Sequence, residues 1–230
     1  RVSGAGRAAL PGSTDMKAIL EKSNRFLDLK LDMGPRGLLV LAVLLLIPSY
    51  LFPLWTLTMF APQYGDGLRM QIYSWRLDGG NGGQDIKEIN VLNHYIGMRD
   101  LTTADFTEFK WIPFVVGIVG LLILRTAVLG KMSALVDNVV LYLYFGAFSL
   151  WSFAFKLWTY GHHLDPRAAV KVAPFMPPMF GYKKLANFEV YSYPGAGSYA
   201  LGLVALVLVL AVLLAWREGK RELAHAAGSA

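Results

Sequence analysis

The stretch SYALGLVALVLVLAVLLAW, Ser198–Trp216, holds nineteen residues without one charged side chain. As an α-helix rising about 1.5 Å per residue it would reach about 28 Å, close to the ~30 Å thickness of a bilayer's hydrocarbon core. A helix pairs its backbone N–H and C=O groups internally, which a bilayer requires because lipid tails offer no hydrogen-bonding partners. The stretch therefore predicts a membrane-spanning helix.

Three further apolar blocks precede this stretch, at residues 37–57, 111–129 and 134–160. The whole chain is 55% hydrophobic and 17% charged, with a mean hydropathy of +0.43, whereas a typical soluble domain is about 25% charged. Pro48 and Pro53 should kink the outer half of the first block, because proline interrupts the helical hydrogen-bond ladder. The four blocks predict an all-α integral membrane protein with four transmembrane helices.

The distribution of Lys and Arg predicts how these helices cross the membrane. Twelve of these residues lie in the tails, 1–36 and 217–230, and around the turn between the second and third blocks, against nine in the long loops, 58–110 and 161–197. Short positively charged segments tend to stay in the cytoplasm. We expect both termini in the cytoplasm and both long loops in the periplasm of a bacterial inner membrane. Membrane lipids are the expected partners of these charges, and no basic run is dense enough to indicate nucleic acid.

The two long loops predict a small extracytoplasmic α+β cap above the helices. Residues 68–77 alternate in the manner of a strand, and residues 86–98 are compatible with a short helix or a second strand. The other loop contains five prolines, which argue against long regular structure there; they are Pro166, Pro174, Pro177, Pro178 and Pro194.

The N-terminal tail contains one element that the pattern predicts to be helical. Ser13–Asp15 is typical of a helix cap, and apolar residues recur after it at near-helical spacing up to Gly34 and Pro35. This pattern fits a helix lying in the cytoplasmic interface of the membrane, and equally an exposed helix packed against the bundle.

Four residues of the predicted cap are candidate metal ligands. They are His94, Met98, His162 and His163, and all lie in the long loops or where the third block leaves the membrane. The chain has no cysteine, so imidazole and thioether groups are what it could offer to copper. The alternative is ordinary packing, since methionine often fills gaps and histidine suits the headgroup region.

Aromatic side chains give two further expectations. The third block is rich in Phe, Trp and Tyr, which indicates contacts with lipid or a pigment, or else simple packing and an interfacial belt. If the cap docks a partner protein, we expect the contact to involve Trp75, Tyr95, Pro177 and Phe180.

Three segments resemble a family of poorly characterised bacterial membrane proteins encoded near maturation genes of nitrous oxide reductase, a periplasmic copper enzyme. The segments are Phe52–Tyr73, Ile89–Arg99 and the parts 162–172 and 177–188 of the second loop, and LNHYIGM within the second segment is the most specific run. The resemblance implies an accessory protein facing the periplasm and connected with copper delivery or electron supply. It also implies that His94, Met98 and His162 matter.

Two functions stay open from the sequence. The first is a non-enzymatic subunit of a larger bacterial membrane assembly, which docks other membrane or periplasmic subunits through its cap. The alternative is an accessory factor that supplies copper or electrons to a periplasmic copper enzyme. No paired catalytic groups occur at a recognisable spacing, so we expect no enzymatic activity.

Overall fold

Four long apolar helices dominate the computed structural model, which describes residues 13–185 and 188–228. The helices are α1 Ser13–Leu27, α2 Met33–Leu46, α3 Pro48–Leu51, α4 Gln84–Tyr95, α5 Glu108–Leu129, α6 Met132–His162 and α7 Ala196–Gly228. Within the described residues, four stretches are long and apolar enough to cross a membrane: α2 with α3, α5, α6 and the first 26 residues of α7. The expectation of a multi-pass membrane protein is therefore confirmed.

The first spanning helix differs from the predicted block 37–57. It begins four residues earlier, at Met33, with Pro35 in its first turn, where proline removes no helical hydrogen bond. Pro48 separates α2 from α3, and Phe52, just before Pro53, is already extended, as the residue before a proline prefers to be. Residues 55–57 therefore belong to a strand and not to the helix.

The last helix is longer than predicted because it continues beyond Trp216 to Gly228. The predicted cytoplasmic tail 217–230 is thus helical over most of its length. Its Arg, Glu, Lys, Leu and Ala residues are all good helix formers.

The bundle core is closed, and two of its buried polar side chains are paired with each other. Leu39 of α2, Ile123 of α5 and Val204 of α7 are fully buried in one cluster. The Asn138 amide donates to Thr126 Oγ1 at 2.7 Å and to the carbonyl of Leu122 at 3.2 Å. These bonds satisfy polar groups between α5 and α6, where neither water nor lipid would.

The segment before α2 and the C-terminal part of α7 lie at the bundle end that holds the α5–α6 turn. The Leu31 N–H donates to the Gly130 carbonyl at 2.9 Å, and the Met132 N–H donates to the Leu29 carbonyl at 3.0 Å. Gly219 of α7 packs against Leu29. The segment before α2, the turn and the C-terminal part of α7 are therefore neighbours, and the cap lies at the opposite end.

The cap is one antiparallel sheet built from both long loops. Its strands are β1 Trp55–Ala61, β2 Tyr64–Ile72, β3 Leu77–Gly79, β4 Gly181–Leu185 and β5 Phe188–Pro194, in the order β3-β2-β1-β5-β4. Strand β1 pairs with β2 on one side and with β5 on the other. Because β1 follows α3 directly and β5 leads into α7, the sheet is continuous with two spanning helices.

Two sequence expectations about the cap need correction. The strand predicted at 68–77 lies at 64–72 instead, and the proline-rich loop contains the β4–β5 hairpin that its prolines argued against. Four of the five prolines precede residue 179, and the fifth, Pro194, ends β5, so the residues that form the hairpin are free to pair.

Helix α4 packs against β2 and β3 and resolves the alternative between helix and strand at 86–98. Buried Asp85 in its first turn accepts hydrogen bonds from the Arg69 backbone N–H and from the Asn81 side chain, both at 2.8 Å. Gly97 follows the helix at φ +78°, a conformation that suits glycine at a helix end. The helix is thus hydrogen-bonded to the sheet at its start, and Gly97 marks its end.

Candidate functional site

The second long loop is fastened to the ends of α4 and α6 by backbone hydrogen bonds. The Asp165 N–H donates to the Gly97 carbonyl at 2.8 Å, and the Val170 N–H donates to the Tyr95 carbonyl at 2.9 Å. Farther along, the Phe175 N–H donates to the Gly161 carbonyl at 3.0 Å. The predicted ligand segments therefore meet on one side of the cap.

The four predicted ligands nevertheless differ in their surroundings. His94 is exposed at the end of α4, whereas Met98 is partly buried in the cap core. The His162 ring stacks on Trp158 at 4.5 Å, and its Nδ1 lies 2.9 Å from the Trp158 carbonyl. His163 Nδ1 lies 3.2 Å from the Thr159 carbonyl.

No group of three or more His, Cys, Asp or Glu side chains placed to hold a metal occurs among the described residues. Hydrogen bonds from Arg167, first from its backbone N–H and then from its side chain, lower the pKa of Asp165, and the charge of His94 lowers it further to a smaller extent. The copper site stays a prediction, and the metal content of the purified chain is the measurement that tests it.

The four predicted docking residues are divided between the surface and the interior. Tyr95 and Phe180 are exposed, and exposed Trp75 donates from Nε1 to the Tyr50 carbonyl at 3.2 Å, next to the end of the first spanning helix. Pro177 is buried and packs beside Gly161. It therefore forms part of the cap interior and not of the exposed surface.

The sheet carries an exposed aromatic surface on the face opposite α4. Side chains alternate between faces along a strand, so Leu57 and Val190 point into the cap core while their neighbours point away. We define the outer aromatic face by five residues of β1, β4, β5 and the segment before β4: Phe60, Phe180, Tyr182, Tyr191 and Tyr193.

The rings of the outer aromatic face contact one another. Tyr182 lies opposite Tyr191 in the β4–β5 register, with ring centroids 4.9 Å apart. Phe180 meets Tyr193 edge-on at 5.5 Å, and Phe60 meets Tyr191 edge-on at 5.7 Å. Phe180 is 67% exposed, Tyr182 is 50% exposed and Tyr193 is 45% exposed. The face is thus a continuous set of rings that the described residues leave largely uncovered.

Sequence reasoning did not identify most of this face, although a signal for it was present. Residues 189–193, EVYSY, alternate between buried Val190 and Ser192 and the more exposed Glu189, Tyr191 and Tyr193. This is the period of a strand that is buried on one side. Only Phe180 was expected to take part in docking.

The inner face of the sheet borders a cavity of about 90 Å³, which we name the cap cavity. Its walls come from β1, β2, β5, α4, α6 and residues 163–180 between α6 and β4, which we name the proline-rich segment. These walls are almost entirely carbon. Representative lining residues are Leu57, Met70, Ile89, Met98, Phe153 and Pro177. Two predicted site residues, Met98 and Pro177, therefore share this cavity.

Three side chains with polar groups also line the cap cavity, and one of them, Tyr160, donates from its hydroxyl to the Asp100 carbonyl at 3.3 Å. Asn93 is 3% exposed, and its Nδ2 has no hydrogen-bond partner among the described residues. Lys156 Nζ donates to the Asp105 carbonyl at 2.8 Å and lies 3.7 Å from Glu108 Oε2. The charge of the lysine is thus matched, whereas the amide of the asparagine lacks an acceptor.

A row of aromatic rings runs along one exposed side of α6 towards the cap. Successive ring centroids lie 4.5–6.1 Å apart; the rings are those of Phe148, Trp151, Phe155, Trp158 and His162. Five aromatic residues of the third block and its end therefore form one continuous row of ring contacts. Whether lipid or a pigment covers the row stays a prediction.

Tyr64 and Glu88 form a second polar contact between β2 and α4, beside that of Asp85. The Tyr64 hydroxyl donates to Glu88 Oε2, and Gln84 Nε2 donates to Glu88 Oε1 at 2.9 Å. Both bonds favour the charged carboxylate, so they lower the pKa of Glu88, while the bond to the carboxylate raises the pKa of Tyr64.

Comparisons with known proteins add no relative to this description. No family model, no curated protein and no solved structure was found to match the chain. The likeness to membrane proteins encoded near nitrous oxide reductase maturation genes therefore stays a prediction, and the function is argued from the cap itself.

Proposed function

We propose that this protein is a non-enzymatic subunit of a larger bacterial membrane assembly and binds a partner protein through its cap. The observation that carries the proposal is the outer aromatic face, with Phe180, Tyr182 and Tyr193 exposed together on two paired strands and the segment that leads into them.

Aromatic side chains are enriched at the centres of protein interfaces. Tyrosine combines a large apolar ring with a hydroxyl that can bond to a partner, and it loses little conformational entropy on binding. The outer aromatic face has these properties and rests on a sheet whose opposite side is packed. The strands therefore hold the rings in place before a partner arrives, which reduces the cost of ordering them.

We further propose that the cap lies outside the cytoplasmic membrane and that both termini lie in the cytoplasm. More Lys and Arg residues belong to the two tails and the α5–α6 turn than to the two long loops, and the positive-inside rule assigns the tails and the turn to the cytoplasm. A partner on the outer aromatic face would then be a periplasmic protein or the periplasmic part of another membrane subunit.

The test is photocrosslinking in native membranes. A photoreactive phenylalanine analogue is placed at position 182, on the outer aromatic face, and in a matched variant at position 91. Val91 is similarly exposed, at 51%, but lies on α4. We expect one specific protein adduct from position 182, identified by mass spectrometry, and none from position 91.

A second arm tests whether the rings themselves bind the partner. The double variant Tyr182→Ser and Tyr193→Ser should lose co-purification of the crosslinked protein in mild detergent, whereas Val91→Ser should retain it. A chain that yields no protein adduct from positions 180, 182 and 193 would refute the proposal. Digestion of an N-terminal tag by protease added outside intact spheroplasts would refute the proposed sidedness.

A further inference from the structure

One residue that lines the cap cavity carries a polar group without a partner. Asn93 is almost fully buried, and its Nδ2 has no acceptor among the described residues. A buried donor that stays unpaired is costly, whereas an apolar side chain of the same size at this position would carry no such cost. The amide is therefore poorly suited to packing alone and well suited to a ligand that brings an acceptor.

Water is a poor candidate for that acceptor. The cavity, at about 90 Å³, has several times the ~10–15 Å³ that one water needs, but a buried water also requires about two to four polar partners. The lining supplies Asn93, Lys156 and Tyr160 among mostly carbon walls. Lys156 already bonds to the Asp105 carbonyl and Tyr160 to the Asp100 carbonyl. An organic molecule with an apolar body fills such walls better.

The charges beside the cavity indicate that this molecule is neutral. Lys156 Nζ is held between the Asp105 carbonyl and Glu108 Oε2, and the Glu108 Oε1 accepts a hydrogen bond from Ser152 at 2.7 Å. The cation and the carboxylate therefore balance each other, and the site has no net charge to offer an ionic headgroup.

The position of the cavity indicates where the ligand comes from. Phe153, Lys156 and Leu157 line it from the last turns of α6, one of the four helices suited to spanning a membrane. The cavity therefore lies where α6 leaves the membrane and enters the cap. A molecule dissolved in the bilayer would reach it without crossing the aqueous phase.

We propose that the cap cavity binds a neutral, membrane-dissolved molecule whose carbonyl oxygen accepts a hydrogen bond from Asn93 Nδ2 and whose apolar part packs against the sheet and α6. A quinone ring and the ester of a neutral acylglycerol share this chemistry. This proposal is independent of the outer aromatic face, which lies on the other side of the sheet.

The experiment uses the full chain in detergent and native mass spectrometry to measure ligand occupancy. The two carbonyl probes are a decyl-substituted benzoquinone and a neutral monoacylglycerol, and decylbenzene serves as the matched molecule without a carbonyl. We expect one molecule per chain for at least one carbonyl probe. That probe should bind roughly three- to tenfold better than decylbenzene, the range of one net hydrogen bond. The preferred probe distinguishes the two sources.

Two variants locate the site. Asn93→Leu should abolish the preference for the carbonyl probe over decylbenzene, and it should leave the melting temperature of the ligand-free chain unchanged or raised. Ile89→Phe fills the cavity and should reduce occupancy by every probe. Val91→Phe, on the exposed side of the same helix, should bind as the wild type does.

Several results would overturn the inference. The first is that neither carbonyl probe binds to the wild type. The second is that Asn93→Leu still prefers the carbonyl probe to decylbenzene, and the third is that Ile89→Phe keeps the occupancy of the wild type. A large fall in the melting temperature of ligand-free Asn93→Leu would show that the amide supports the fold instead. Each of these results leaves the photocrosslinking from position 182 unaffected, so the two proposals fail separately.

Discussion

The bundle and the cap solve the same packing problem differently. In the bundle, Asn138 and Thr126 are buried and bonded to each other, and Ile123 is fully enclosed. In the cap, Asn93 is equally buried but its Nδ2 is unpaired, and it borders a cavity of about 90 Å³. In the bundle these two polar side chains satisfy each other, as lipid requires, whereas an unsatisfied polar group beside open volume is typical of a site that binds something.

The two regions also differ in how they are assembled. The bundle core joins long helices that each bury an apolar stripe. The cap core joins five strands and α4 from two loops that are distant in sequence, and a few backbone hydrogen bonds hold the proline-rich segment to it. We therefore expect substitutions in the bundle to affect the whole molecule and those in the cap to act locally.

The largest expected effect comes from a cavity in the bundle core. Ile123→Ala removes methyl groups from a fully buried position, and such substitutions destabilise proteins by about 2–5 kcal/mol. Thermal unfolding in detergent should show this loss. Leu121→Ala on the same helix is the control, because Leu121 is 69% exposed. Equal losses for the two variants would show that α5 does not bury the face described above.

A smaller, local effect is expected from Gly161→Ala at the end of α6. A Cβ at this position would collide with the Phe175 carbonyl, so the proline-rich segment must move away from α6. We expect a loss of about 1–3 kcal/mol, the usual range for overpacking. Hydrogen exchange should accelerate at the Phe175 amide and along β4 and β5, while the amides of α2 keep their protection.

Gly146→Ala is the matched control for that variant, because it lies on the same helix with open space around its Cβ position. It should be neutral or slightly stabilising, since alanine favours helix over glycine by up to about 1 kcal/mol. Faster exchange spreading into α2 in Gly161→Ala would contradict the view that the cap yields independently of the bundle.

The same substitution should have opposite consequences in the two regions. Asn138→Leu removes the hydrogen bonds to Thr126 Oγ1 and the Leu122 carbonyl, and interhelical bonds of this kind contribute roughly 0.5–2 kcal/mol. Asn93→Leu removes an amide whose buried Nδ2 lacks a partner. Melting temperatures should therefore fall for the first variant alone. A fall of equal size in both would remove the distinction between the two asparagines.

The bundle could be predicted from sequence because its evidence is local. A charge-free run such as 198–216 has few structural options in lipid. Errors arose at the ends of the helices, where Pro53 turned the chain into β1 and where α7 continued past Trp216. Those ends depend on packing that no single segment encodes.

The cap could be predicted only in part because its evidence is spread along the chain. The first residues of β1 continue the apolar block of the helix before it. They form a strand by pairing with β2 and with β5, which is more than a hundred residues away. The unpaired amide of Asn93 was invisible for the same reason. An asparagine near the end of a helix is unremarkable until the sheet and α6 enclose it.

The smallest expected effect is a dependence of cap stability on pH through Tyr64 and Glu88. The Tyr64 hydroxyl is the main cause of the lowered pKa of Glu88 in the folded protein. A carboxyl group with a lowered folded-state pKa stabilises the fold above its unfolded-state pKa, about 4.3 for Glu, and loses that contribution as the pH falls through the folded value. Tyr64→Phe should therefore melt below the wild type at pH 7, and the difference should shrink below about pH 4.

Tyr95→Phe is the control, because it removes a hydroxyl from an exposed position at the end of the same helix that carries Glu88. The difference between its melting temperature and that of the wild type should not change with pH. A Tyr64→Phe difference that stays constant from neutral to acidic pH would mean that the hydroxyl acts through packing alone. A difference that shrinks would show that the contact between β2 and α4 depends on the charged carboxylate. The bundle core has no such dependence at Asn138, because the hydrogen bonds of Asn138 join neutral groups.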